Sequence, residues 1–471
     1  MATTSATDRP TPRLLSPAYR ALTIGAVSLA SMIAFEYLAV ATAMPTVARE
    51  LNGLPLYALA FGASLAAGVV GLVVGGIWSD SVGPRGSIWQ GVTWFVVGLV
   101  IAGMAPSMWA LVAGRIVQGF GGGLLSVALY VVVGHCYPAR LHPKIFGAFA
   151  AAWVVPSIIG PALTGFVVEQ WSWRWIFLAI ALLALPAAVL VRPALASLED
   201  APRGGANSNR RILWALGAAL GACALHFGGQ QRGAPAVVVL ASGLAGVMRF
   251  APRLLPPGTT RMRRGLPSVV ALRGIASAAF LEAEIFVPLM LTRQRDLSPA
   301  AAGLTLTLAA VSWSAGSWYQ GRERRPLSRV LLLRLGMSLV AGGIATTSLV
   351  LSLSVPIFIA WAGWAMAGAG MGLIYPTLSV LTLELSAPEE QGANSSSLQL
   401  CDALFAVAAI ALGGSLFAAL VRSSPVTAFA LLFGIACALA LTGALLSSRV
   451  RLGADRPSCA VSHCFGGHAP K

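Results

Sequence analysis

The chain has 471 residues, of which 57% are hydrophobic and only 10% charged, and its mean hydropathy of +0.79 lies far outside the range of a soluble domain of this length. A net charge of +16 would suggest nucleic acid as the partner of a soluble protein, but here Arg and Lys gather in loops between apolar runs, the topogenic pattern of a membrane protein, so nucleic acid is excluded. The alternation over about 10 residues that marks a membrane barrel is absent, and the expected class is an all-α polytopic membrane protein.

Met1 to Ser16 is polar and rich in Pro and Thr. It lacks the small-residue cleavage site that follows a short apolar core, so the first span is expected to stay in place as a signal anchor. A bilayer-spanning helix needs about 20 mostly apolar residues. In chain order such runs predict helices at 21–46, 56–78, 87–105, 108–135, 144–168, 173–194, 211–228, 234–250, 266–291, 299–320, 329–353, 355–384, 396–421 and 425–448, which makes 14 spans. The pair at 211–250 is short and carries Gly and a His, so the fallback is 12 spans. The expected organisation is a cytoplasmic segment at 1–20, a six-helix bundle at 21–194, a linker with two additional helices at 195–265, a second six-helix bundle at 266–448 and a disordered cytoplasmic tail at 449–471. With the N-terminus inside, 23 of the Arg and Lys residues fall in inner segments and 6 in outer ones, which places both termini in the cytoplasm.

Cys136, Cys223, Cys401 and Cys437 lie in or beside spans at irregular spacing, so neither a disulfide framework nor a zinc site is expected. The tail holds Cys459, His463, Cys464 and His468, which are metal-ligand types, yet its position favours disorder and no metal or cofactor is expected. No G-x-x-x-x-G-K-[ST] pattern occurs, so ATP is not the energy source.

An internal repeat is visible. Gly114, Gly119, Gly121 and Gly123 of the fourth span recur 249 residues later as Gly363, Gly368, Gly370 and Gly372; glycine is common where membrane helices pack closely, so this alone is suggestive. A second correspondence is Ala34-Phe35-Glu36 ahead of Pro45, against Ala279-Phe280 with Glu282 and Glu284 ahead of Pro288. Parallel six-helix repeats around a midplane binding site are a recognised transporter plan.

Ionisable groups at membrane depth cost at least a few kcal/mol unless paired, hydrated or neutralised, so each demands a reason. The candidates are Glu36, Arg115, Arg273, Glu282, Glu284 and Asp402. A carboxyl in a low-dielectric interior resists ionisation, and one poised there can load a proton from one face and lose it to the other; the alternative for Glu36 is a structural ion pair. Arg115 cannot deprotonate and would serve as a fixed charge that tunes a carboxylate. Glu282 and Glu284 point about 200° apart on a helix, so at most one faces a cavity, and the other is expected to meet Arg273 or a neighbouring helix. Asp402 follows Asn394–Ser397, read as capping residues, and is expected to face the cytoplasmic vestibule.

At this point the residues resemble the major facilitator superfamily, and within it the fourteen-helix drug:proton antiporters. Gly76, Asp80, Gly83 and Arg85 are similar to the cytoplasmic gating motif G-x-x-x-D-x-x-G-x-R. Arg115, Gln118 and Gly119 resemble R-x-x-Q-G, linked in the family to proton transfer. Gly160, Pro161 and Gly165 resemble the antiporter motif G-P-x-x-G-G, with Thr164 for the first paired glycine, and Trp173-Arg174-Trp175-Ile176-Phe177 resembles the start of the sixth helix in drug exporters. The departures are Glu36 in place of the usual Asp and Gln320 where the second gating loop would carry Asp. The resemblance implies a major facilitator fold of two six-helix bundles plus two extra central helices. It also implies a monomeric, proton-coupled secondary transporter of a bacterial inner membrane, with small molecules and protons as partners, in which the gating motif latches the outward-open state. Amphipathic or cationic export is the expected activity. The alternatives are a proton-coupled metabolite symporter and a lipid-modifying membrane enzyme, for which no catalytic constellation is found.

Overall fold

The computed structural model describes residues 13–451 apart from 54–55, 82, 197–207, 229–232, 298, 321–326 and 422. The expected N-terminal segment up to residue 12, the second gating loop at 321–325 and the Cys/His tail therefore lie outside the described residues. Among the described residues, fourteen α-helices follow in order: α1 Arg20–Glu50, α2 Tyr57–Ser81, α3 Pro84–Gly103, α4 Met108–Cys136, α5 His142–Gln170, α6 Arg174–Ala196, α7 Ser208–Gly228, α8 Ala234–Phe250, α9 Leu266–Gln294, α10 Pro299–Gln320, α11 Arg329–Ser348, α12 Phe358–Glu384, α13 Gln391–Leu420 and α14 Pro425–Leu446. Among the described residues, 12 helices are long and apolar enough to cross a membrane, and α7 and α8 are among them.

Local chemistry sets several starts. The Ser107 and Ser328 hydroxyls accept from the amides of Ala110 and Leu331, capping α4 and α11. Gly83 sits at φ +86° immediately before Pro84, a left-handed turn that only glycine adopts without cost, and it lets α3 reverse directly from α2.

Helices α1 to α6 form one bundle and α9 to α14 a second, while α7 and α8 pair with each other and α7 lies against both α2 and α13. The repeated glycines explain the likeness of the two bundles. A Cβ on Gly119 or Gly123 would lie 2.2 Å from a backbone oxygen of α2, and on Gly368 or Gly372 within 2.3 Å of one on α10. Gly114 and Gly121 press likewise on α3, as Gly363 and Gly370 press on α11. The four positions thus do the same packing work in each half, small residues letting backbones approach where apolar burial gives no drive in lipid.

The halves meet along two seams, α2 against α13 and α5 against α10. Side-chain contacts across them gather at one end of the molecule, the end bearing Gly83 and the described chain termini, called the near end below. There Gly76 meets Gly392 and Ser396, Gly134 meets Gln391, and Gly147 meets Ser317. A buried cluster also joins Val380 and Leu383 of α12 to Val132, Val133 and Ile145 of the first half.

Candidate functional site

Among the described residues, the first half buries one ion pair. Glu36 of α1 and Arg115 of α4 are 5% and 4% exposed and bond directly through Oε1 and Nη1, while the same guanidinium nitrogen donates to Gln118 Oε1 one turn along α4. Glu36 lies 16 residues into α1, about 24 Å from its start. The pair is therefore held deep between helices. Tyr37 stands beside Glu36 in the chain, more than half exposed, its ring tilted against that of Trp153 of α5 at 6.3 Å between centroids.

The second-half counterpart of Arg115 carries no charge. Shifted by 249 residues, Arg115 becomes Trp364, and the counterpart of Phe35 is Phe280; those two rings stack at 4.9 Å and 18°. Trp313 of α10 meets Phe280 edge-on at 5.4 Å.

Glu282 and Glu284 diverge as helical geometry requires. Glu282 is 3% exposed and points at α13, where a Cβ on Gly413 would lie 2.4 Å from its Oε1. Glu284 is half-buried and, two positions further along α9, points about 200° away from Glu282. Of the two partners expected, Glu282 meets the neighbouring helix, α13, and neither glutamate pairs with Arg273. They lie 9 and 11 residues further along α9, roughly 14 and 17 Å away, beyond one side chain's reach. Arg273 instead pairs with Asp402 of α13, Nε to Oδ1 at 3.3 Å, and its guanidinium carbon lies 3.4 Å from the centroid of the Tyr375 ring. Tyr375 Oη donates to Asp402 Oδ1 at 2.7 Å. Sequence reasoning missed Tyr375; the available signal was a phenol inside an apolar span, where the hydroxyl needs a partner.

The gating residues form a contact between halves. Asp80 accepts from the backbone amides of Gly392 and Ala393, both at 2.7 Å. This also corrects the expected start of α13. The helix begins at Gln391 with no side-chain cap of its own, so Asn394–Ser397 lie inside it, and its orphan N–H groups are satisfied by a carboxylate from the other half. The absence of a Cβ matters on both sides: on Gly392 it would stand 2.5 Å from Asp80 Oδ1, and on Gly76 it would stand 2.8 Å from Gly392 O. Arg85 is exposed at the start of α3. Arg211 of α7 acts on Asp80 electrostatically.

The second seam is built differently. Gln320 is 1% exposed, and its Nε2 donates within its own half to Leu373 O at 2.8 Å and Thr377 Oγ1 at 2.7 Å. Helix α5 runs unbroken through Gly160, Pro161 and Gly165. Gly160 faces Phe35 and Leu38 of α1, whereas nothing lies within 4 Å of where a Gly165 Cβ would be. At the far end Trp173 is fully buried, its indole donates to Glu50 Oε2 at 2.8 Å, and Arg174 lies over its ring and reaches Ala105 O. A separate cavity of about 500 Å³ between α2, α4 and α7, lined by apolar side chains such as Ala66, Phe120 and Leu220, contains none of these charged groups.

Comparison with known proteins agrees with this architecture. A family model for the Major Facilitator Superfamily matches residues 24–409. A Mycobacterium tuberculosis protein described as a "Probable multidrug-efflux transporter" is 27% identical over 379 residues, covering 76% of this chain and 79% of its own length. The multidrug transporter protein MdtP of Bacillus subtilis is 25% identical, covering 76% and 68%, and the multidrug efflux pump SdrM of Staphylococcus aureus is 25% identical, covering 78% and 82%. Among solved structures, the human organic anion transporter MFSD10 superposes with a TM-score of 0.69 at 14% identity, over 92% of this chain and all of that one. The proton:xylose symporter XylE gives 0.61 at 16% identity, over 92% and 96%.

Proposed function

This chain belongs to the Major Facilitator Superfamily, and from that premise we propose that it is a proton-coupled exporter of amphipathic or cationic small molecules from a bacterial inner membrane, working by alternating access. The observation that carries the reading is the buried Glu36–Arg115 pair. A carboxylate held out of water against a guanidinium that cannot deprotonate has two states. Ionised, it is paired with Arg115; protonated, it releases Arg115 to Gln118, which already accepts from the same nitrogen. Loss of the proton toward the cytoplasm restores a negative charge that a cationic substrate can share, and a proton arriving from outside expels that substrate. Competition for one charge gives exchange.

Asp80 on the α13 N-terminus supplies the closed near end that this cycle needs, with the near end assigned to the cytoplasm by the Arg and Lys bias of its loops. One proton moving down about 100 mV releases about 2.3 kcal/mol, and one pH unit adds about 1.4. The sum sustains a substrate gradient of roughly several hundredfold. The fold is shared with a proton symporter and does not set the direction; the curated relatives named for efflux favour export.

The test uses inside-out membrane vesicles. An acid lumen is expected to drive a lipophilic cationic dye from the medium into the lumen, and Glu36→Gln is expected to abolish the pH-driven part. Accumulation only with an alkaline lumen would instead identify a symporter, and accumulation indifferent to pH would remove proton coupling.

A further inference from the structure

The turn that leads into α9 presents three arginines in a geometry beyond what charge bias alone requires. Arg261, Arg263 and Arg264 are all exposed, and among the described residues their side chains make no hydrogen bond or ion pair with the protein. Three residues at positive φ shape the backbone around them, Gly258 at φ +91° before, Met262 at φ +47° between and Gly265 at φ +85° after. For methionine such a φ is uncommon. It turns the Met262 side chain onto the core of the second half while its neighbours on both sides face outward, and the stem of Arg263 lies across Gly258 where a Cβ would clash.

The turn's own acceptors are drawn inward. Ser268 Oγ donates to Met262 O at 2.9 Å and Arg263 O at 2.7 Å, and Arg449 Nη1 donates to Met262 O at 3.2 Å and Arg261 O at 3.5 Å. Gly265 N then donates to Arg449 O at 2.8 Å, which fixes the turn to the end of α14. The outer face is left with guanidinium donors and no competing carbonyl from these three residues. No acidic residue occurs between Asp200 and Glu282 or between Asp402 and Asp455, so neither chain segment that builds the turn brings a carboxylate with it.

We propose that Arg261, Arg263 and Arg264 form a binding site for the phosphate headgroup of an anionic phospholipid. The site lies directly before the span beginning at Leu266 and beside the end of the span finishing at Val450, which is the height of the headgroups. Forked guanidinium donors suit phosphate oxygens, and clustered basic residues at this height attract anionic lipid. Topogenic arginines would need neither the left-handed turn nor the inward capping of its carbonyls.

The experiment uses full-length protein stripped of lipid in detergent and titrated with phosphatidylglycerol or phosphatidylcholine, with bound lipid counted by native mass spectrometry. Wild type is expected to retain at least one phosphatidylglycerol under conditions that strip phosphatidylcholine. The R261Q/R263Q/R264Q variant should need at least about tenfold more phosphatidylglycerol, whereas R249Q/R253Q, which removes two exposed arginines off the turn, should bind as wild type. Should the triple glutamine variant fail to insert, R261K/R263K/R264K keeps the topogenic charge and is expected to bind severalfold more weakly, because lysine lacks the fork. Equal retention of the two lipids, or equal phosphatidylglycerol binding by wild type and the triple variant, overturns the site and leaves the arginines topogenic only. Displacement by inorganic phosphate at the same concentration as the lipid overturns the lipid assignment in favour of a soluble anion.

Discussion

Glu36 and Arg115 illustrate how a buried pair can be costly to break and yet add little to stability. Removing one partner of such a pair strands the other charge and typically costs about 3–5 kcal/mol, whereas removing both is often close to neutral. Glu36→Gln is therefore expected to lower the unfolding temperature of the purified protein and to abolish pH-driven transport. The double variant E36Q/R115Q should recover most of the thermal stability while transport stays absent. Recovery of transport in the double variant would reduce the pair to a structural role. The positions of Arg115 and Gln118 on one face of α4 were legible from their i, i+3 spacing. The partner of Arg273 was not legible, because Asp402 lies 129 residues away and two acidic candidates on its own helix, Glu282 and Glu284, compete with it on paper.

At the scale of elements, the N-terminus of α13 owes its cap to α2. Two charge-assisted bonds from backbone amides to Asp80 oppose separation of the near end, and bonds of this type contribute about 1.5–3 kcal/mol each. Asp80→Asn is expected to shift the population toward the inward-open form by about tenfold or more, since 1.4 kcal/mol is a factor of ten. Spin labels at exposed Ala139 and Glu389, one on each half, should then report a longer distance component; an unchanged distribution would show that the latch does not set the equilibrium. The second seam behaves otherwise. Gln320→Asp restores the residue that the gating pattern calls for, yet here it would discard two amide hydrogen bonds and place a carboxylate in a site 1% exposed, opposite an α5 start where Pro143 offers no N–H. A fall in thermal stability is expected, not a second latch. A stabilised Q320D protein would show that the halves are more symmetric at this end than Gln320 makes them.

For the whole molecule, alternating access requires the near ends of both seams to part. A Cβ placed on Gly147 of α5 would lie 4.0 Å from Ser317 Cβ of α10, close to the Cβ separation of a disulfide, about 3.8 Å. On a background free of native cysteines, G147C/S317C is expected to cross-link on oxidation, to lose transport when linked and to regain it on reduction; full transport by the linked protein would mean that this seam never opens. The membrane class, the helix positions and the twofold repeat of glycines were all written in the sequence, because hydropathy and small-residue spacing act over one helix and its neighbour. The sequence also named Glu36, Arg115, Arg273, Glu282, Glu284 and Asp402 as groups needing a reason, since a charge in an apolar run is conspicuous, and Asp80 through the gating pattern. Only the tertiary structure chose the partners. Pairing depends on the depth and facing of helices far apart in the chain, and it set Asp80 on a helix end, Arg273 on Asp402, and Gln320 back into its own half.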